Sequence, residues 1–197
     1  MPPIDWTLLY CRQPYSETPK KLKLGSVFGT IRVRKGVVEM TVVEGMQAPG
    51  FSLKNEVGEI ISLKDFAGNK YVVLYFYPKD MTPGCTTQAC DFRDAEANFS
   101  ELNAVILGVS GDSEDQHTQF IEKHGLPFSL LVDEDHQVSE DYGVWVEKNM
   151  YGKKLMGIER STYLIDPTGI IVKAWHKVKV SNHIQDVLKT LKLVSKQ

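Results

Sequence analysis

Cysteine is scarce. Three residues in 197, Cys11, Cys85 and Cys90, are too few to staple a chain of this length, so a disulfide scaffold is excluded and each thiol is inert, metal-bound or catalytic. Long apolar runs are missing as well. None approaches the roughly 18 residues of a membrane span, and the opening MPPIDWTLLYCRQPY lacks the basic-then-apolar layout of a secretory signal. The expectation is a cytoplasmic protein without membrane contact. Neither sign of charge is in excess: 23 Lys and Arg face 25 Asp and Glu, a net charge of −2, so no global field draws in nucleic acid. The five histidines, His117, His124, His136, His176 and His183, stand at no spacing that would complete a zinc site with Cys85 and Cys90, and neither metal nor other cofactor is expected. Apolar material is not short. With 42% hydrophobic beside 24% charged residues, the composition is that of a globular protein, and the length suits one generous domain or an ordinary domain with an extension.

The chain divides unevenly near residue 40. Residues 1–39 carry seven basic and three acidic side chains, a net charge of +4 against −6 for the remainder. Pro2, Pro3, Pro14 and Pro19 interrupt any helix in the first 25 residues, which read as a poorly ordered tail. A weak alternation from Val27 to Val43 suits an added strand or hairpin, with turns at Gly29 and Gly36. Met40 stands directly before the regular pattern. Residues 1–39 are therefore read as an extension, arising from a mis-assigned start or forming a genuine tail with organelle targeting as one role, and residues 40–197 as the domain.

From Met40 the pattern is regular. Tyr71 to Tyr77 (YVVLYFY) is a continuous apolar run of strand length, as expected of a strand covered on both faces. Cys85 to about Leu102 then spaces Ala89, Phe92, Ala95, Ala97, Phe99 and Leu102 mainly three or four apart, as an amphipathic helix requires. Ala104 to Ser110 is a second buried strand. Ser113 to His124 reads as a helix with Ser113 as its N-cap, Gln116 completing a capping box and Gly125 past its end. Phe128 to Val132 forms a third strand, and His136 to Tyr142 a short helix. Thr162 to Ile165 and Ile170 to Trp175 flank the turn Asp166-Pro167-Thr168-Gly169, and Ser181 to Val194 is a last helix burying Ile184, Val187, Leu188 and Leu191. Parallel strands need helical crossovers while a hairpin adds antiparallel ones, so this order predicts an α/β protein with a mixed central sheet flanked by helices, the thioredoxin-like fold.

Chemistry concentrates in Pro78-Lys79-Asp80-Met81-Thr82-Pro83-Gly84-Cys85-Thr86-Thr87-Gln88-Ala89-Cys90. This stretch joins a buried strand to a helix, the position at which open α/β sheets place their sites. Unpaired N–H groups and the positive end of the helix dipole favour an anion there, which suits Cys85 to nucleophilic attack as a thiolate. Pro78 and Pro83 restrict the loop, Gly84 lets the backbone approach a small ligand, and the Thr82 hydroxyl comes within reach of the sulfur. On an ideal helix Cys90 lies about 8.6 Å from Cys85 between Cα atoms, beyond the roughly 7 Å that a disulfide tolerates. A bond between them requires the first turns of the helix to unwind, a step that suits resolution of a sulfenic acid by a second thiol.

Pro78, Thr82 and Cys85 match the P-x-x-x-T-x-x-C motif of peroxiredoxins, and the string FYPKDMTPGCTTQACDFRD resembles their bacterioferritin-comigratory-protein branch, also called peroxiredoxin Q. The resemblance runs over most of residues 42–194, through Gln47-Ala48-Pro49, Gly108-Val109-Ser110, Pro127-Phe128, Tyr142-Gly143-Val144-Trp145 and Gly157-Ile158-Glu159-Arg160-Ser161-Thr162. It implies a thiol peroxidase in which Cys85 is the peroxidatic residue, Cys90 resolves it to an intramolecular disulfide, and Arg160 polarises the hydroperoxide and holds the thiolate. It implies thioredoxin as the reductant and a monomer as the working state. Nothing transfers to residues 1–39.

Such a reaction needs donors aimed at the departing oxygen, for which Arg160, Thr82 and the N–H groups around Gly84 and Cys85 are suited. Arg160 stays protonated and can donate to two oxygens, with Asp80 or Glu159 as the carboxylate to orient it. Other residues get plainer readings. Cys11 is a non-functional exposed thiol, His117 lies on a solvated helix face, His124 suits the last turn of its helix, and Tyr142 and Trp145 pack beside the site. Two rival functions remain. One is a thiol-disulfide oxidoreductase on the same fold, which ordinarily uses C-x-x-C where four residues intervene here. The other is a non-catalytic redox sensor or chaperone-like binding protein that uses the Cys85 helix as a switch.

Overall fold

The alternating segment before residue 42 forms a sheet of its own. In the computed structural model, which describes residues 21–24, 27–34, 37–150 and 153–196, β1 (Lys21–Leu24), β2 (Val27–Arg34) and β3 (Val37–Thr41) pair antiparallel in that order. Gly29 makes no turn, since it lies within β2 opposite Leu22. Gly36, Cys11 and the tail up to residue 20 lie outside the described residues, while residues 21–24, read as part of that tail, are β1. A second hairpin, β4 (Ser52–Lys54) and β5 (Ile60–Ser62), leads through a single 3-10 turn at Leu63–Phe66 into the central sheet.

The central sheet grows from β6 (Tyr71–Phe76). Its residues alternate between two apolar layers, Val73 and Tyr75 on one side and Val72, Leu74 and Phe76 on the other, as a strand's two-residue period demands. Helix α1 (Pro83–Glu101) crosses over to β7 (Ala104–Ser110), parallel to β6, and α2 (Glu114–His124) crosses to β8 (Leu130–Val132), parallel to β7. After the short α3 (Gln137–Asp141) comes a hairpin of β9 (Trp145–Met150) and β10 (Lys153–Ile158). The chain then adds β11 (Ser161–Ile165), antiparallel to β6, and β12 (Ile171–Trp175), and closes with α4 (His183–Val194). The spatial order is β12-β11-β6-β7-β8. This is the mixed sheet expected of the thioredoxin-like fold.

Each face of that sheet is covered. On one, α1 contributes Cys85, Ala89, Phe92, Ala95 and Phe99, α2 contributes Phe120, and α4 contributes Ile184, Val187, Leu188 and Leu191. The opposite layer takes Val42, Ala48 and Phe51 from the chain before β4, Val138 and Tyr142 from around α3, and Ile158 from β10. Ala97, placed by periodicity on the inner stripe of α1, is exposed because it stands two residues from both Ala95 and Phe99, off their shared face. The expected strand from Phe128 is shorter by two residues, and the last helix begins at His183 after an Asn182 N-cap in the left-handed region. Among the described residues no helix is long and apolar enough to cross a membrane.

Candidate active site

Buried β6 ends at Phe76, and the chain must rise out of the core before α1 can start. Tyr77 and Asp80 stay buried, Pro78 and Lys79 are exposed, and Met81 turns the backbone through the left-handed region at φ 59°. Thr82 is the N-cap of α1 and Pro83 its first residue, where the missing N–H costs nothing. Cys85 follows as the third residue of the helix, only 2% exposed. The Thr86 N–H closes the first turn on the Thr82 carbonyl at 2.9 Å. The N–H groups of Gly84 and Cys85, in the first turn, have no carbonyl one full turn behind them to accept their hydrogens.

Arg160 reaches this turn from the junction of β10 and β11. Its Nη2 lies 3.1 Å from Cys85 Sγ, and its Nη1 donates to Gln88 Oε1. The backbone holds the residue in place: Glu159 N–H bonds the Val144 carbonyl at 2.7 Å, and Val178 N–H bonds the Arg160 carbonyl at 2.9 Å. A Cβ added at Gly84 would stand 3.4 Å from Arg160 Nη2, which places the guanidinium directly beside the helix start. The structure brings Arg160, the cation that the resemblance implied, to Cys85, and the partner it gives the guanidinium is neither of the two carboxylates offered for it. The guanidinium meets the amide of Gln88 in place of the Asp80 or Glu159 carboxylate, and Asp80 is occupied by Tyr77 and His117. Gln88 was legible in principle. It stands three residues after Cys85 and four before Phe92, inside the buried stripe of α1, where a polar side chain needs a partner.

The Thr82 hydroxyl was expected within reach of the sulfur. It donates 3.0 Å to the Lys79 carbonyl rather than to the sulfur, which tightens the turn and leaves the oxygen's lone pairs for an incoming hydrogen. Cys90 is half-buried on the same unbroken helix, and Cys85 and Cys90 are both free thiols. His117 reverses its expectation. Read as solvated, it is fully buried, with Nδ1 2.7 Å from Asp80 Oδ2 and Nε2 3.3 Å from the Leu131 carbonyl. The cause is placement on the stripe of α2 that carries Phe120 three residues on.

Two further groups surround the site. Lys148 on β9 donates to the Ile158 carbonyl, and burial lowers its pKa against the opposing pull of Glu159. Beneath the helix, burial holds the Tyr75 and Tyr77 phenols well above their ordinary pKa, so both remain hydroxyls. Tyr142 packs in the second apolar layer with its hydroxyl on the Pro49 carbonyl, and Trp145 stacks on His136 at 3.7 Å between ring centres. His124 does occupy the last turn of α2, where its carbonyl accepts from Arg93 Nη1 at 2.7 Å.

An AhpC/TSA family model matches residues 45–174. Peroxiredoxin Bcp of Bacillus subtilis (strain 168) is 56% identical over 158 residues, which span 80% of this chain and 100% of that protein. Peroxiredoxin Bcp of Escherichia coli (strain K12) is 48% identical over 145 residues, 74% of this chain and 92% of that one. Among solved structures, the bacterioferritin comigratory protein of Xanthomonas campestris, described for its alkyl peroxide reduction activity, superposes with a TM-score of 0.72 at 42% identity. It covers 79% of this chain and 98% of its own.

Proposed function

Since the chain belongs to the AhpC/TSA family as a Bcp-type peroxiredoxin, and is thus a thiol peroxidase, we propose the route by which its own residues carry the reaction. The Cys85 thiolate attacks the terminal oxygen of hydrogen peroxide or a small organic hydroperoxide. An S–O bond forms as the O–O bond breaks, leaving a sulfenic acid on Cys85 and water or an alcohol once the departing oxygen takes a proton. Negative charge moves from sulfur to that oxygen during the step, so a cation able to face both is worth most in the transition state. Arg160 Nη2 at 3.1 Å from the sulfur is the observation that carries this reading. The Gly84 and Cys85 N–H groups supply further positive charge, and the Thr82 oxygen accepts the hydrogen of the bound hydroperoxide.

Cys90 then attacks the sulfenic sulfur, expelling water and forming the Cys85–Cys90 disulfide. Both cysteines stand on α1, so the helix start must open first, since an intact helix keeps their Cα atoms about 8.6 Å apart. An external dithiol, thioredoxin in this proposal, returns both thiols by becoming a disulfide itself. The protein works as a cytoplasmic monomer. Pro78, Pro83 and Gly84 shape the entrance, residues 40–197 form the catalytic domain, and residues 1–39 are an extension to it.

A coupled peroxidase assay with thioredoxin, its reductase and NADPH tests the route. Wild type should turn over, Cys85→Ser should be inert, and Cys90→Ser should oxidise once and stall. Continued turnover by Cys85→Ser removes Cys85 from the reaction. Activity without thioredoxin dependence, with disulfide exchange in its place, would favour the oxidoreductase alternative.

A further inference from the structure

Asp80 and His117 are a buried ionisable pair beside the site, and the route above does not use them. Asp80 is 4% exposed and His117 not at all, yet they stand 37 positions apart in the chain. A buried ionisable pair is costly unless each lone pair and hydrogen finds a partner. Here the matching is close to complete. Asp80 Oδ1 accepts from the Tyr77 hydroxyl at 2.7 Å, and Oδ2 faces His117 Nδ1 at 2.7 Å. The Asp80 N–H donates to Asp112 Oδ2 at 2.8 Å, which also takes the Ser110 hydroxyl at 2.7 Å. One loop residue is thereby tied to the ends of β6 and β7 and to α2, and His117 Nε2 extends the tie to the Leu131 carbonyl of β8.

The network stops abruptly. The residue after Asp80 is Met81, exposed and left-handed. Beyond it the hydrogen bonds are short-range: Thr82 to the Lys79 carbonyl, Thr86 N–H to the Thr82 carbonyl, and Thr87 to the Pro83 carbonyl. Past Cys85, Ala89 and Phe92 anchor the helix in the apolar layer. Between these two fixed points lies residues 81–88, the stretch that carries Cys85 and that must unwind before its sulfur can meet Cys90. Its remaining ties to the body are the packing of Cys85 into the apolar layer and the contacts of Arg160 with Cys85 and Gln88, which unwinding gives up.

We infer that His117 and Asp80 form the fixed upstream hinge of the active-site turn, as positioning residues. They hold the loop end still so that residues 81–88 open as a short segment and close again with Cys85 under Arg160. The inference rests on the peroxidase reading and adds to it a division between what moves and what does not. Loss of the hinge loosens the closed arrangement that reacts with hydroperoxide, without opposing the opened one that forms the disulfide.

Stopped-flow kinetics resolve the two steps in the full chain. In His117→Leu, the second-order rate of Cys85 oxidation by hydrogen peroxide should fall about ten- to a hundredfold, the range carried by a lost buried charge-assisted hydrogen bond. The first-order formation of the disulfide should not slow. His117→Asn, whose amide can still donate to Asp80, should recover most of the first rate. Should His117→Leu fail to fold, Asp80→Asn is read in the same way. An unchanged oxidation rate in these variants, or an equal fall in both steps, overturns the hinge. If wild-type Cys85 does not oxidise at all, the peroxidase reading falls first and the hinge with it.

Discussion

At Arg160 one guanidinium spans Cys85 Sγ and Gln88 Oε1, and the geometry makes Gln88 the residue that aims the cation. Gln88→Leu should therefore slow Cys85 oxidation by about tenfold, the cost of leaving a charged donor without its acceptor, while Gln88→Glu should retain most of the rate. An unchanged rate in the leucine variant, measured by stopped flow, would mean that the backbone alone positions Arg160. The Cys85–Cys90 spacing and the Pro78-Thr82-Cys85 motif could be read in the sequence, and Arg160 followed only from the resemblance. Gln88 and His117 were legible only in part. Each sits on a helix stripe with buried aromatics, yet a polar residue on such a stripe names no partner, and their partners lie on segments distant in sequence. Asp80 was offered only as a carboxylate for Arg160, and its burial against His117 gave no signal, because nothing local distinguishes a buried loop carboxylate from a solvated one.

Among the elements, the ones read best are those fixed by local chemistry. Helix α2 runs from the Ser113 capping box to Gly125, which adopts the left-handed conformation at φ 60° with no atom within 4 Å of an added Cβ. That openness isolates the backbone contribution. Gly125→Ala should destabilise the protein by about 1 kcal/mol, measured by urea unfolding, with Cys85 oxidation unaffected. No loss of stability would show that the left-handed cap carries no strain for alanine. The β9–β10 hairpin escaped the sequence reading because WVEKNM and KKLMGI carry too weak an alternation to mark strands. The three-residue strands β4 and β5 are too short to show a period, and pairing with each other defines them.

Across the whole molecule, acid sensitivity follows from His183. Its ring bonds Thr162 at 2.9 Å and packs edge-on against Phe92 and Trp175. Burial pushes its pKa down to about 4, opposed by the nearby Asp186 carboxylate. The folded state then binds its proton less readily than the unfolded chain, whose histidine titrates near 6.5. This contribution to stability is whole above that value and is lost as pH falls from about 6.5 towards 4. Urea unfolding across that window should show wild type losing about 2–3 kcal/mol more than His183→Gln. Parallel pH profiles for the two proteins would remove His183 as the cause. The two apolar layers lie on opposite faces of the central sheet, and α1 packs into one of them, so the helix start sits at the edge of that layer.

In this route Cys85 takes the oxygen and Cys90 removes it. Mass spectrometry of the tryptic peptide spanning residues 80–93, after one equivalent of hydrogen peroxide, tests it most directly. Wild type should lose the mass of two hydrogens from that peptide, and Cys90→Ser should gain one oxygen at Cys85. Oxygen on Cys90 with Cys85 unmodified, or a peptide 80–93 of unchanged mass, would remove Cys85 as the site of attack.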